Sequence, residues 1–205
     1  ANPIKQIVCH HVYDKCDMTA VNQLLLFLDK RLDSQSNLIE NLLPVMTALL
    51  RLVRTQRLIR KWTRQAVLPS LRGQDVMHRP EEDDRLRGKL CKLLTNPITE
   101  VRDLVAEFLF VLCKQNIGRM IKYTGYGNAA GMFANKGLLA GKRAPTDYSD
   151  ESGESDTEEY AKYKPDINPV TGCYEEPKVS PLEGMTEEQK EYEAIKLVNL
   201  VSQLT

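Results

Sequence analysis

Aromatic side chains are scarce in this chain: one Trp, four Phe and eight Tyr make up 6% of 205 residues, and only three His are present. Few His and no visible nucleophile–base set leave acid–base catalysis with few candidates, so no enzyme is expected. Without an aromatic platform or a recognition module, and with a formal net charge of zero, nucleic acid is not an expected partner. Apolar runs are short: Leu24 to Leu28 is brief and Glu107 splits the run around Phe108, far from the roughly 18 residues of a membrane span. No stretch alternates with period two between hairpin turns, so strands are not expected. The five cysteines are odd in number and scattered, which reads as a reduced, cytoplasmic protein. Cys9, His10, His11 and Cys16 match no zinc spacing, and neither metal nor cofactor is expected. No signal-peptide pattern precedes the first helical periodicity. The chain opens on Ala1 without an initiator Met and closes inside a helical pattern, which predicts a piece of a longer protein.

The zero net charge is the sum of two opposed halves. Residues 1–143 hold 23 Lys/Arg against 13 Asp/Glu, and residues 144–205 hold 5 against 15. Opposite charges on one chain attract, and modification can tune that attraction.

Helical periodicity fills the basic part. Asp17 suits a cap for a helix through Leu24, Leu25, Phe27, Leu28 and Leu32. A second helix is expected over 37–53, kinked near Pro44, and a third over 55–67. Pro80 at a first helical position, followed by Glu81, Glu82, Asp83 and Asp84, predicts a helix starting after Arg79. Asn96-Pro97 predicts another start, opening a helix apolar on nearly every side and so buried between others. Comparable Leu/Arg-rich stretches begin at Val53-Arg54 and Val101-Arg102, an offset of 48 residues near the length of an armadillo or HEAT unit. The fold class read from this is all-α, with residues 1–140 forming part of a helical-repeat solenoid.

Residues 141–185 lose periodicity, gain proline and acid, and predict an aperiodic acidic linker. Thr186-Glu187-Glu188-Gln189 is a capping box. It opens an amphipathic tail helix over 186–205, with Tyr192, Ile195, Val198 and Val201 as its partner-facing stripe and Leu197 and Leu204 widening it.

Arg51, Arg54, Arg57, Arg60, Lys61 and Arg64 recur every three or four residues and predict one basic helix face. It is either a solvated face or an anion site, and the chain's own acidic tract is its most economical ligand. In that tract Ser149, Ser152, Ser155 and Thr157 stand among acids as candidates for an acid-directed protein kinase, and each of the three Ser has acid or another Ser three positions on. A phosphate adds roughly −1.5 to −2 charges and acceptors suited to Arg. Arg57, Arg60, Lys61 and Arg64 are the expected dock.

Gly125-Tyr126-Gly127-Asn128-Ala129-Ala130-Gly131 imitates a dinucleotide loop, but no strand precedes it. A tight turn is expected instead, with Asn128 capping a short helix through Leu139. This segment with Ile121 to Thr124, then Lys136 to Gly141, Ala106 to Cys113, Ile167 to Gly172, Gly184 to Glu191 and Lys196 to Asn199, resembles the synembryn family, the G-protein α-subunit chaperones and exchange factors. The motifs run from about Leu42 onward, and residues 1–41 match poorly. The resemblance implies an armadillo/HEAT-like solenoid that grips the C-terminal helix of a nucleotide-free or GDP-bound Gα. It also implies a tail helix against the nucleotide-binding core, activating phosphorylation at Ser149 and Ser155, and work in the cytoplasm or at the cell cortex. The family carries further N-terminal repeats that this chain lacks. The competing expectation is a helical-repeat scaffold that binds acidic or helical peptides without exchange activity.

Overall fold

The computed structural model describes residues 11–34, 38–138, 156–176 and 184–203. Two compact units divide the chain, one through Tyr174 and one from Glu175. Both are built of helices among the described residues, as the periodicity predicts.

The first unit opens on a feature that the sequence reading missed. Val12–Tyr13 (β1) pairs antiparallel with Cys16–Asp17 (β2). Asp14 and Lys15 turn the chain with φ of 49° and 64°. Two left-handed residues in a row define the tight hairpin turn, and strands of two residues are too short to show alternation. Asp17 then accepts the Thr19 amide at 2.8 Å, at the start of α1 (Thr19–Ser34).

The next helix, α2 (Leu38–Thr55), contains Pro44 as its seventh residue, where the ring removes the amide that would otherwise bond the Glu40 carbonyl. It ends at Gln56, whose extended backbone (φ −113°, ψ 110°) separates it from α3 (Arg57–Val67). The expected helix after Arg79 is instead a single 3-10 turn, Pro80–Glu82, with Glu82 accepting the Arg79 amide. Asp83 breaks out of it because its carboxylate accepts from the Arg85 amide and from the Arg85 and Arg87 guanidinium groups. α4 (Leu86–Leu93) follows.

Asn96 caps the approach to α5 (Thr99–Leu112) by accepting the Ile98 amide. As expected, α5 is buried along most of its surface, from Val101 through Phe108, Leu109 and Leu112. It packs along α2, with α1 on the far side of α2 and α3 and α4 alongside. Burying each such side chain contributes about 1.5–3 kcal/mol, so α2 and α5 are the axis of the core. α6 (Ile117–Thr124) is capped by Asn116 and ends at Gly125, which also begins α7 (Tyr126–Asn135). Asn128 therefore lies inside α7 and does not cap it: its amide donates to Glu81 at 2.7 Å and to the Thr124 carbonyl at 2.9 Å.

Within the span expected to be aperiodic, residues 156–174 are folded. Thr157 caps the six-residue α8 (Glu158–Tyr163), and a 3-10 turn (Lys164–Asp166) follows. This strap holds one buried aromatic, Tyr160, in the common core. One aromatic and a handful of backbone bonds suffice to dock it, and neither leaves a periodic signature. The second unit contains α9 (Glu187–Gln203).

Candidate functional site

α9 begins with the reciprocal cap the sequence announced. The Gln189 amide donates to the Thr186 hydroxyl at 3.3 Å, and the Thr186 amide donates to the Gln189 side chain at 3.1 Å. Ion pairs Lys190–Glu187 and Lys196–Glu193 brace it along its length. Tyr192, Ile195, Leu197 and Val198 are 57–68% exposed. An α-helix turns about 100° per residue, so Tyr192, Ile195 and Val198 span an arc of about 120°, while Leu197 lies about 100° beyond Val198. The side chain of Val201 and all of Leu204 lie outside the described residues. Leaving several large apolar side chains in water on a well-capped helix is the mark of a surface that closes on a partner.

The basic series does not form one helix face. Gln56 divides it, leaving Arg51 and Arg54 on α2 and Arg57, Arg60, Lys61 and Arg64 on α3. Arg54 pairs with Glu107, which also holds Lys136 at 2.7 Å and so ties α2, α5 and the end of α7 together. Burial works to raise the Glu107 carboxyl, but hydrogen bonds from Lys136 and Arg54 outweigh it and keep the group below its usual range. Arg60 donates back to the Val53 carbonyl at 2.9 Å. Arg57 and Lys61 are exposed, and Arg64 is half-buried beside a shallow cleft with Tyr13, Gln65 and Leu68. Burial, with Arg119 nearby, lowers the Arg64 pKa.

Ser149, Ser152 and Ser155 lie outside the described residues. Thr157 is described, and its hydroxyl is engaged: it accepts the Tyr160 amide at 3.1 Å and donates to the Leu71 carbonyl. The next acid, Asp156, contacts Lys122 and Lys164, both at 2.7 Å, rather than α3. Those bonds hold the Asp156 carboxyl below its ordinary range. Lys122 also stands over the Tyr160 ring, 4.6 Å from its centre. Asn116, Arg119, Ile121 and Lys122 from α6 form a cleft of about 450 Å³ with Asp156, Lys164 and Pro169 of the strap. Sequence reasoning missed this cationic site, because its three cations are spaced too far apart to read as a run.

The glycine motif proves structural. The Tyr126 and Gly127 amides donate to the Pro169 and Val170 carbonyls at 2.8 and 2.9 Å, so these α7 N-terminal amides hold protein and not phosphate. Gly125 (φ 73°) and Gly172 (φ 74°) cross there. A Cβ on Gly172 would stand 2.9 Å from the Pro80 ring and 3.1 Å from the Gly125 Cα. Cys91 and Cys113 are buried, and burial pushes both thiols up to about 12, far from reactivity. Among the described residues there is no cluster suited to a metal ion and no helix long and apolar enough to cross a membrane.

Comparison with known proteins adds a further finding. The family profile described as guanine nucleotide exchange factor synembryn matches residues 3–205, and so extends through the first 41 residues that the motifs did not reach. The chain is 52% identical over 193 residues to the chicken (Gallus gallus) chaperone Ric-8A, covering 94% of this chain and 35% of that protein. It is 49% identical over 200 residues to the chaperone Ric-8 of Drosophila melanogaster, covering 96% and 35%. With the mouse (Mus musculus) chaperone Ric-8A it shares 50% over 189 residues, covering 92% and 35%. The chain thus spans about a third of the length of these curated relatives.

Proposed function

Because this chain belongs to the synembryn family of guanine nucleotide exchange factors, we propose that it serves as a chaperone and exchange factor for heterotrimeric G-protein α-subunits. The observation that carries this reading is the exposed Tyr192, Ile195 and Val198 arc on a capped helix. Such a protein makes no covalent bond. It binds nucleotide-free Gα more tightly than the GDP form, and that difference in affinity sets how far it promotes GDP release. GTP then drives the client off by favouring the form that is bound poorly.

Within this reading, α1–α7 are the end of an armadillo/HEAT-like solenoid that grips the client in the cytoplasm, and α9, with Val201 on the same stripe, contacts the nucleotide-binding core. An acid-directed kinase modifies Ser149, Ser152 and Ser155 and strengthens the grip. Thr157 is the poorest acceptor of the four, since its hydroxyl proton is donated to the Leu71 carbonyl and phosphate there would remove that bond. Phosphates on the acidic tract dock on Arg57, Arg60, Lys61 and Arg64. Exposure of Arg57 and Lys61 supports this reading.

The deciding experiment is capture of purified Gα by the full-length protein with and without GTP. Capture that GTP abolishes is the expected result. Capture indifferent to nucleotide would leave only the scaffold reading.

A further inference from the structure

One of the eight tyrosines stands apart from the rest. Tyr123 and Tyr160 are buried, and Tyr13, Tyr126, Tyr163 and Tyr174 are half-buried. Tyr126 tilts against Phe133, and the Tyr163 and Tyr174 rings meet edge to face, 5.4 Å apart. Tyr148 lies outside the described residues. Tyr192, by contrast, is 68% exposed on the second turn of α9. Its sequence neighbours are acids: Glu191 and Glu193 on either side and Glu187 and Glu188 about one turn before, with Lys190 the one base among them. Glu188 and Glu193 line a shallow cleft of about 370 Å³ with Tyr192, Met185 and Gln189. Docking on an apolar partner surface explains the exposed ring but not the carboxylates placed around it.

We infer that Tyr192 is the phosphoacceptor of a tyrosine kinase with a basic substrate groove, and that phosphate there switches off the client-facing arc. In the transfer the phenolic oxygen attacks the γ-phosphorus of ATP and a new O–P bond forms. The bond from that phosphorus to the β–γ bridging oxygen breaks, ADP leaves, and the phenolic proton passes to the catalytic carboxylate of the kinase. A phosphatase reverses the change by adding water and releasing inorganic phosphate. The flanking carboxylates give the segment the negative field that a basic groove selects. Tyr192 lies close to the start of α9, and helix ends open locally at the lowest cost, so the kinase reaches it in extended form.

The phosphate brings roughly −1.5 to −2 charges to one edge of the Tyr192, Ile195 and Val198 arc. Within the helix, repulsion from Glu188 one turn before and attraction from Lys196 one turn after nearly cancel, so α9 keeps its fold. Against an apolar partner surface the added charge has no such compensation, and its desolvation weakens binding about a hundredfold. A bound client covers the same ring, so binding and phosphorylation exclude each other. This switching rests on the reading of α9 given above, whereas Tyr192 as an acceptor rests on exposure and charge alone. Its sense is opposite to that of the phosphorylation proposed for Ser149, Ser152 and Ser155.

The test uses the full-length protein, ATP with Mg²⁺, and the catalytic domain of a non-receptor tyrosine kinase that favours acidic substrates, with the modified residues mapped by mass spectrometry. Tyr192 is expected to take up phosphate at least about tenfold faster than the packed tyrosines, which must first be opened. Tyr192→Phe should lose most of the label. Label entering another tyrosine as fast as Tyr192 overturns Tyr192 as the acceptor. Capture of nucleotide-free Gα is then compared before kinase treatment, after it, and after a phosphatase. Affinity about a hundredfold weaker after the kinase and restored by the phosphatase is the expected result, with circular dichroism unchanged. In Tyr192→Phe, kinase treatment should leave capture at that variant's own starting level. Wild-type affinity that stays constant through full phosphorylation overturns the switch. Failure of the untreated protein to capture Gα is a separate outcome: it removes the function proposed above, and the labelling alone then decides the acceptor.

Discussion

Gly88 packs so tightly on Asp83 that a Cβ there would stand 1.9 Å from the Asp83 carbonyl oxygen. Helix propensity alone favours Gly88→Ala by about 1 kcal/mol. The clash is with backbone, which cannot rotate away, and overpacking of this kind costs about 1–3 kcal/mol or more. The clash wins. Gly88→Ala is expected to lower the melting temperature of this chain by several degrees, at roughly 2–4 °C per kcal/mol for a domain of this size. Differential scanning calorimetry checks it, and an unchanged or raised Tm would refute the close approach.

The same turn predicts the acid response. Burial pushes the Asp83 carboxyl up, but hydrogen bonds from Arg85 and the charge of Arg87 outweigh this and hold it down at about 2, against an ordinary 3.8. Arg87 is itself 4% exposed, with its Nη2 2.9 Å from Asp83. A carboxylate depressed in the folded state adds stability above its unfolded pKa and loses it as pH falls through the folded value. The window is therefore about pH 4 down to 2, and Glu107 and Asp156, also depressed, act in the same direction. At pH 7 Asp83→Asn should cost about 2 kcal/mol, since it leaves a buried guanidinium without its counter-charge. In urea melts the gap between wild type and Asp83→Asn should shrink below pH 4. A constant gap from pH 7 to pH 3 would show that the charge is not the cause.

Legibility in the sequence followed the physics of each element. The burial of α5 and the box at Thr186–Gln189 were readable because each is set by residues within one or two turns of each other. The break at Gln56 was read to within about two residues, between the helices expected over 37–53 and 55–67, yet the cationic spacing runs straight across it and was still given one face. The strap was hidden because its anchors (Leu71, Val76, Lys122 and Gly125) are distant in sequence and mostly backbone. The glycine motif was correctly denied to a nucleotide, yet Asn128 was given the cap that Gly125 supplies. The cations at Arg119, Lys122 and Lys164 escaped notice because only the folded strap assembles them.

Reversal of Arg57 and Arg60 to Glu tests the phosphate dock. Arg57 is exposed, and Arg60 donates to the Val53 carbonyl, so the double change should cost no more than about 1–2 kcal/mol of stability. Kinase-stimulated exchange in the full-length protein should fall to the unphosphorylated level, with basal exchange retained. Stimulation equal to wild type would move the dock elsewhere, and Lys122 with Lys164 is then the site to reverse next.

The tail helix offers the sharpest discrimination by geometry. Ile195→Asp and Val198→Asp together place two charges in the middle of the exposed arc. Burying either against a partner without a counter-charge costs several kcal/mol, enough to reduce client affinity more than a hundredfold. Leu197→Asp is the comparison: it is equally exposed and equally far along the helix, but lies about 100° from Val198 and borders the stripe only at Val201, about 40° away. None of the three side chains is buried in the second unit, so circular dichroism should show the helix intact in every variant. Stimulated GDP release should be lost in the double variant and kept in Leu197→Asp. Equal loss in both would mean that α9 is enclosed all round by its partner, and equal retention would place the client contact outside this helix.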